Sequence, residues 1–80
     1  MPAQGVVLYT REGCHLCHQA EELLAKYGLH PHLVDIDRQP ELIARFDTCV
    51  PVVEIDGMIR FRGRIDEVLL RRLVEAKRIR

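Results

Sequence analysis

Tryptophan is absent from this 80-residue chain, aromatic residues make up 5% of it, and it holds three cysteines, four prolines and five glycines. So few aromatics leave little with which to stack bases. An odd count of three thiols is too small for the disulfide framework of a small secreted domain. No apolar run approaches the roughly 18 residues that cross a bilayer, and Met1 to Gly5 carries neither a basic stretch nor an apolar one of the kind found in secretory leaders. A membrane role is therefore not expected, and the cytoplasm is the expected compartment. Net charge of either sign is also missing: 12 basic residues balance 12 acidic ones. The balance is uneven along the chain, with four basic and eight acidic side chains in 1–55 and eight basic and four acidic in 56–80. Because Asp66, Glu67 and Glu75 interrupt the basic stretch, it reads as a solvated helix face, and no nucleic-acid partner is expected. With 48% hydrophobic and 30% charged residues, 1–80 reads as one small domain with one core, without repeats or linkers.

Residues 5–10 have the adjacent apolar side chains of a strand covered on both faces, which places it centrally in a sheet. Leu16, Ala20, Leu23, Leu24 and Tyr27 then recur as one stripe of a helix that Gly28 stops. His32 to Asp37 alternates as a second strand, with Val34 and Ile36 on one side. A strand, a helix and a strand in succession imply a parallel pair joined by a right-handed crossover. Pro40 to Phe46 forms a short helix with Leu42, Ile43 and Phe46 inward. Val50 to Ile55 and Met58 to Phe61 are two strands joined by Asp56-Gly57, the pair suited to a two-residue type I′ turn. A last helix, capped at or near Asp66, buries Ile65, Val68, Leu69, Leu73 and Ala76 and turns Arg71 and Arg72 outward. The order is β-α-β-α-β-β-α, an α/β fold whose four-stranded mixed sheet is flanked by helices.

Cys14-His15-Leu16-Cys17 sits where the first strand hands over to the first helix. There the free N–H groups and the dipole of the helix favour a thiolate, the form that attacks disulfides. Cys14 precedes the helix and is the expected nucleophile; Cys17 lies one turn inside, is more covered, and is the expected resolving thiol. Arg11 and a protonated His15 add positive charge beside them. The cycle this predicts is attack by Cys14 on a disulfide, a mixed disulfide, and displacement by Cys17. The same residues admit other readings. Two cysteines can simply pack as small apolar side chains. Zinc would need further ligands that no second Cys-x-x-Cys or His pair supplies, so no metal site is expected. His18 completes the Cys-x-x-Cys-His spacing of covalent haem attachment, with Met58 as a candidate distal ligand; the preceding strand, the hairpin and the missing leader oppose that reading. Met58 reads instead as ordinary sheet packing, and Cys49, the third thiol, as a small buried side chain.

A parallel pair, a hairpin, a closing helix and Cys-x-x-Cys after the first strand together resemble the thioredoxin fold in its minimal, glutaredoxin-like form, from Val6 to the last helix. The resemblance implies a thiol–disulfide oxidoreductase using Cys14 and Cys17. It implies a cis bond before Pro51, which faces the thiols and leaves the Val50 backbone free to pair with a bound peptide or glutathione. Where glutaredoxins have Thr-Val-Pro this chain has Cys49-Val50-Pro51, and where they have Gly-Gly before an aspartate it has Arg62-Gly63-Arg64-Ile65-Asp66. The substrate-binding set is thus Arg11, His15, Val50, Pro51 and Asp66. Implied partners are a disulfide-containing protein or a glutathione mixed disulfide, together with a reductant, either glutathione or an enzyme of the thioredoxin reductase type. No tightly bound cofactor is implied, glutathione is a candidate cosubstrate, and a monomer is expected. The competing class is a binding module of the same fold whose cysteines are not turned over.

Overall fold

The structure, a computed structural model, describes residues 5–47 and 49–78; residues 1–4, which bear on the expectation of no secretory leader, lie outside the described residues. In chain order the elements are β1 (Val6–Thr10), α1 (His15–Lys26), β2 (His32–Asp35), a 3₁₀ turn (Ile36–Arg38), α2 (Pro40–Phe46), β3 (Val52–Ile55), β4 (Met58–Arg62) and α3 (Glu67–Arg78). The strands form one mixed sheet in the order β2-β1-β3-β4. β1 is central, parallel to β2 and antiparallel to β3, with Leu8 opposite both Leu33 and Val53. This is the expected thioredoxin-like arrangement. Its hairpin turn has Asp56 at φ 52° and Gly57 at φ 84°, the two positive values that a type I′ turn requires.

Strand alternation divides the apolar residues between two faces. Val6, Leu8, Val53, Ile55 and Phe61 meet Ala20 and Leu24 of α1 and Leu70 of α3. On the opposite face Val52 packs with Ile36 and Phe46, flanked by Tyr9, Leu42 and Val50; the Tyr9 and Phe46 rings lie 4.8 Å apart between centroids. Burying a side chain such as Leu24 or Leu70 fully is worth about 1.5–3 kcal/mol, and Leu24, Phe46 and Leu70 are the large side chains by which α1, α2 and α3 are anchored.

Several boundaries differ from the sequence expectation. β2 ends at Asp35, not Asp37, because the Asp35 carboxylate accepts the Asp37 N–H at 2.9 Å and starts the 3₁₀ turn, which still buries Ile36 completely. β3 begins two residues late, after the cis Val50-Pro51 bond. In β4, Val53 faces Phe61 while Glu54 faces Ile59, so Arg60 is the extra residue of a bulge. Without it Ile59 and Phe61 would share a face; with it they enter opposite clusters. Met58 is 57% exposed instead of packed in the sheet.

The helix faces depart in part from those expected: Ala20, Leu23, Leu24 and Tyr27 of the α1 stripe join the core and Leu16 does not, while the α3 face is rotated. In α1 Leu16 is 43% exposed, and the buried positions are Cys17, Ala20 and Leu24. In α3 Val68 and Leu69 are 54% and 42% exposed and Ala76 is exposed, whereas Leu70 is fully buried with Leu73 and Val74 beside it. Both helices carry more apolar side chains than one stripe can hold, so contact with the sheet selects among them.

Candidate redox site

The site is built where β1 ends. Glu12 and Gly13 turn the chain, with Gly13 at φ 78°, a conformation glycine enters without steric cost. The Cys14 N–H then donates to the Arg11 carbonyl at 3.2 Å, and Cys14 stands as the N-cap of α1 in extended geometry. Its sulfur takes the place usually held by a Ser or Asp oxygen, accepting the Cys17 N–H at 3.1 Å, while its carbonyl accepts the His18 N–H at 3.2 Å. Cys14 and Cys17 are joined as a disulfide with their Cα atoms 5.2 Å apart. Cys14 is half-buried and Cys17 only 3% exposed. The two sulfurs are therefore inequivalent: one is open to attack and held at a helix N-terminus, and the other is covered.

Of the proposed substrate residues, Arg11 is committed elsewhere. Its Nε donates to both carboxylate oxygens of Asp37 at 3.1 Å, Nη2 reaches Asp37 at 2.8 Å, and Nη1 reaches the Asp47 carbonyl and carboxylate at 3.0 and 3.2 Å. The hydrogen bond to Asp37 holds the Arg11 proton still more firmly, and the same bond holds the Asp37 carboxyl below the usual carboxylate range. Two aspartates thus meet the charge of Arg11, and the clamp ties the loop before Cys14 to the 3₁₀ turn and the end of α2. Asp37 and Asp47 were not singled out in the sequence: they lie 26 and 36 residues from Arg11, and no local pattern links them.

His15 opens α1 and is exposed. Val50-Pro51 is cis, and Pro51 is buried, its carbonyl accepting the Gly63 N–H at 2.7 Å. The pairing of Tyr9 with Val52 brings Pro51 to the end of the sheet from which Cys14 emerges. The carboxylate of Asp66 accepts the Val68 and Leu69 N–H groups at 3.0 and 3.3 Å, which makes it the cap of α3. Cys49 is free and half-buried beside the Phe46 cluster.

A cleft of about 420 Å³ opens on the β2 side of the disulfide. Arg11, Cys14 and Cys17 line it together with His18, Glu21 and Arg38, whereas His15, Val50, Pro51 and Asp66 do not. The sequence reading missed this cleft because its walls come from β1, α1, β2 and the 3₁₀ turn. Met58 pairs with Ile55, which faces Val6 at the far end of β1, roughly 13 Å of strand from Thr10. It is too distant from His18 for the two to share an iron. Among the described residues no three His, Cys, Asp or Glu side chains gather to hold a metal ion, and no helix is long and apolar enough to cross a membrane.

Residues 5–75 match the family described as Glutaredoxin-like domain (DUF836). Among solved structures, the crystal structure of target protein XcR50 from X. campestris is 36% identical, with 89% of this chain and 96% of that one covered and a TM-score of 0.72. The solution structure of XcR50 superposes with a TM-score of 0.75 at 32% identity, covering 90% and 94% of the two chains. Oxidised thioredoxin from Plasmodium falciparum, 22% identical with 92% and 80% covered, shares the fold with a TM-score of 0.51. Comparison with curated proteins found no match.

Proposed function

The chain belongs to the glutaredoxin-like domain family, and from that premise we propose that it is a dithiol–disulfide oxidoreductase acting on protein disulfides or glutathione mixed disulfides. The observation that carries the reading is the disulfide between an N-capping Cys14 and a covered Cys17. Once the pair is reduced, the Cys17 N–H and the positive end of α1 favour a thiolate at Cys14. That thiolate attacks the substrate disulfide, releases one thiol and retains the other half as a mixed disulfide. Cys17 then displaces it, so two electrons pass to the substrate and the Cys14–Cys17 bond re-forms. The position of Val50-Pro51 at the same sheet end supports a docking role for the Val50 backbone. A reducing cytoplasm suits this cycle, with glutathione or a thioredoxin reductase returning the pair to the dithiol.

The test is turnover of a small glutathione mixed disulfide with each reductant supplied in turn. Cys14→Ser is expected to abolish turnover, and Cys17→Ser to accumulate a mixed disulfide visible by intact mass. If Cys14→Ser leaves the rate unchanged, the protein is a binding module and not an oxidoreductase. The reductant that sustains turnover identifies the electron donor.

A further inference from the structure

The resolving thiol poses a problem of proton transfer. Cys17 is 3% exposed, and an apolar enclosure favours the neutral thiol over the thiolate that must attack Cys14. Its proton can leave through the cleft, which Cys17 lines together with Cys14, His18 and Glu21. Counting from the N-cap Cys14 these residues stand at relative positions 0, 3, 4 and 7, so Cys14 and Glu21 are each helix neighbours of both Cys17 and His18, which lie side by side between them. The His18 N–H bonded to the Cys14 carbonyl fixes His18 one turn above the nucleophile. His18 completes the Cys-x-x-Cys-His string, and neither haem chemistry nor the redox cycle described above uses it.

We propose that His18 is the proton acceptor for Cys17, taking its proton through water in the cleft that both residues line as Cys17 displaces the substrate from Cys14. In this step the Cys17 sulfur gives its proton to the unprotonated ring nitrogen of His18 and forms the bond to the Cys14 sulfur. The bond between Cys14 and the substrate sulfur breaks, and the substrate leaves as a thiolate with the electron pair. The imidazolium then returns its proton to solvent or to that thiolate. Imidazole suits the task because it exchanges protons readily near neutral pH. The other charged groups that line the cleft are Glu21 on the same helix, Arg11 and Glu12 from the loop before Cys14, and Asp35 and Arg38 from β2 and the 3₁₀ turn. Arg11 is already matched by Asp37 and Asp47, so three carboxylates and one further arginine line the cleft in which the transfer creates a positive charge.

The inference rests on the dithiol reading, and one assay separates the two. A Cys49→Ser background, fully reduced, is mixed with excess 5,5′-dithiobis(2-nitrobenzoate) in stopped flow. Attack by Cys14 releases a first thionitrobenzoate and resolution by Cys17 a second. The second phase is expected to accelerate as pH rises through the range in which imidazoles lose their proton. His18→Gln should slow it by roughly tenfold or more at pH 7 and remove that rise, free imidazole should restore it, and the first phase should change by less than about threefold. Glu21→Gln should keep the rise. A second phase unaltered by His18→Gln, or abolished by Glu21→Gln instead, overturns the assignment while leaving the dithiol reading intact. Absence of a second release from the parent protein overturns both.

Discussion

Removing the Asp66 carboxylate asks whether this residue serves the fold or the substrate. It accepts two N–H groups, from Val68 and Leu69 at 3.0 and 3.3 Å, the second and third positions of α3, where a capping side chain acts. Replacing an aspartate cap by alanine costs about 0.5–2 kcal/mol, with ~1 kcal/mol typical. For a domain of this length 1 kcal/mol lowers Tm by roughly 4–8 °C. Asparagine caps about as well as aspartate and forfeits only the interaction of the charge with the helix dipole, about 0.3–1 kcal/mol. The expected order of thermal unfolding is therefore parent above Asp66→Asn above Asp66→Ala, read by calorimetry or far-ultraviolet circular dichroism. Because the carboxylate is occupied by its own helix, Asp66→Asn is expected to keep turnover of a glutathione mixed disulfide within about twofold, the range of a lost surface charge. An Asp66→Ala protein as stable as the parent would refute the capping argument. A fully stable Asp66→Asn protein with turnover lost would show that the carboxylate also meets substrate.

Three further outcomes follow from the geometry. Leu70→Ala should cost about 2–5 kcal/mol in urea unfolding and Val68→Ala no more than about 0.5 kcal/mol, since Leu70 is fully buried and Val68 54% exposed; equal losses would mean that α3 is rotated. In a Cys17→Ser, Cys49→Ser protein, a dipole worth up to ~2 kcal/mol raises the Cys14 thiolate-to-thiol ratio about 30-fold at most. A stabilised thiolate is also intrinsically less nucleophilic, so iodoacetamide should modify it up to about threefold faster than a free cysteine at pH 7 but more slowly at pH 10; the reverse order contradicts the capping role of its sulfur. Finally, the Asp37 carboxyl is lowered chiefly by its hydrogen bond to Arg11. Its contribution to stability is thus complete above the ordinary carboxylate range, about 4, and lost as pH falls through the lowered value. Asp37→Asn should narrow the difference in Tm between pH 7 and pH 2, and an unchanged difference counts against the clamp.

The elements of this fold were legible because their signals are local. Apolar runs and, for β2, alternation marked the strands, the 3.6-residue stripe marked α1, Gly28 stopped it, and Asp56-Gly57 announced the hairpin. The thiols at the end of the first strand likewise marked the position of the Cys14–Cys17 disulfide. What could not be read locally was selection among competing side chains. Val68, Leu69 and Leu70 all fit a helical period, and only packing into the cluster that holds Leu8, Val53 and Phe61 decides that Leu70 turns inward.

The sequence by itself determined the order of elements, the parallel pair and the placement of Cys14 and Cys17 at the start of α1, since each depends on neighbours within one or two turns of chain. Tertiary structure alone decided the bulge at Arg60 that divides Ile59 from Phe61, the two aspartates that claim Arg11, and the cleft that joins Cys17, His18 and Glu21 to β2 and the 3₁₀ turn. Those features depend on residues tens of positions apart, brought together by the pairing of strands and the burial of apolar faces, and no local pattern encodes them.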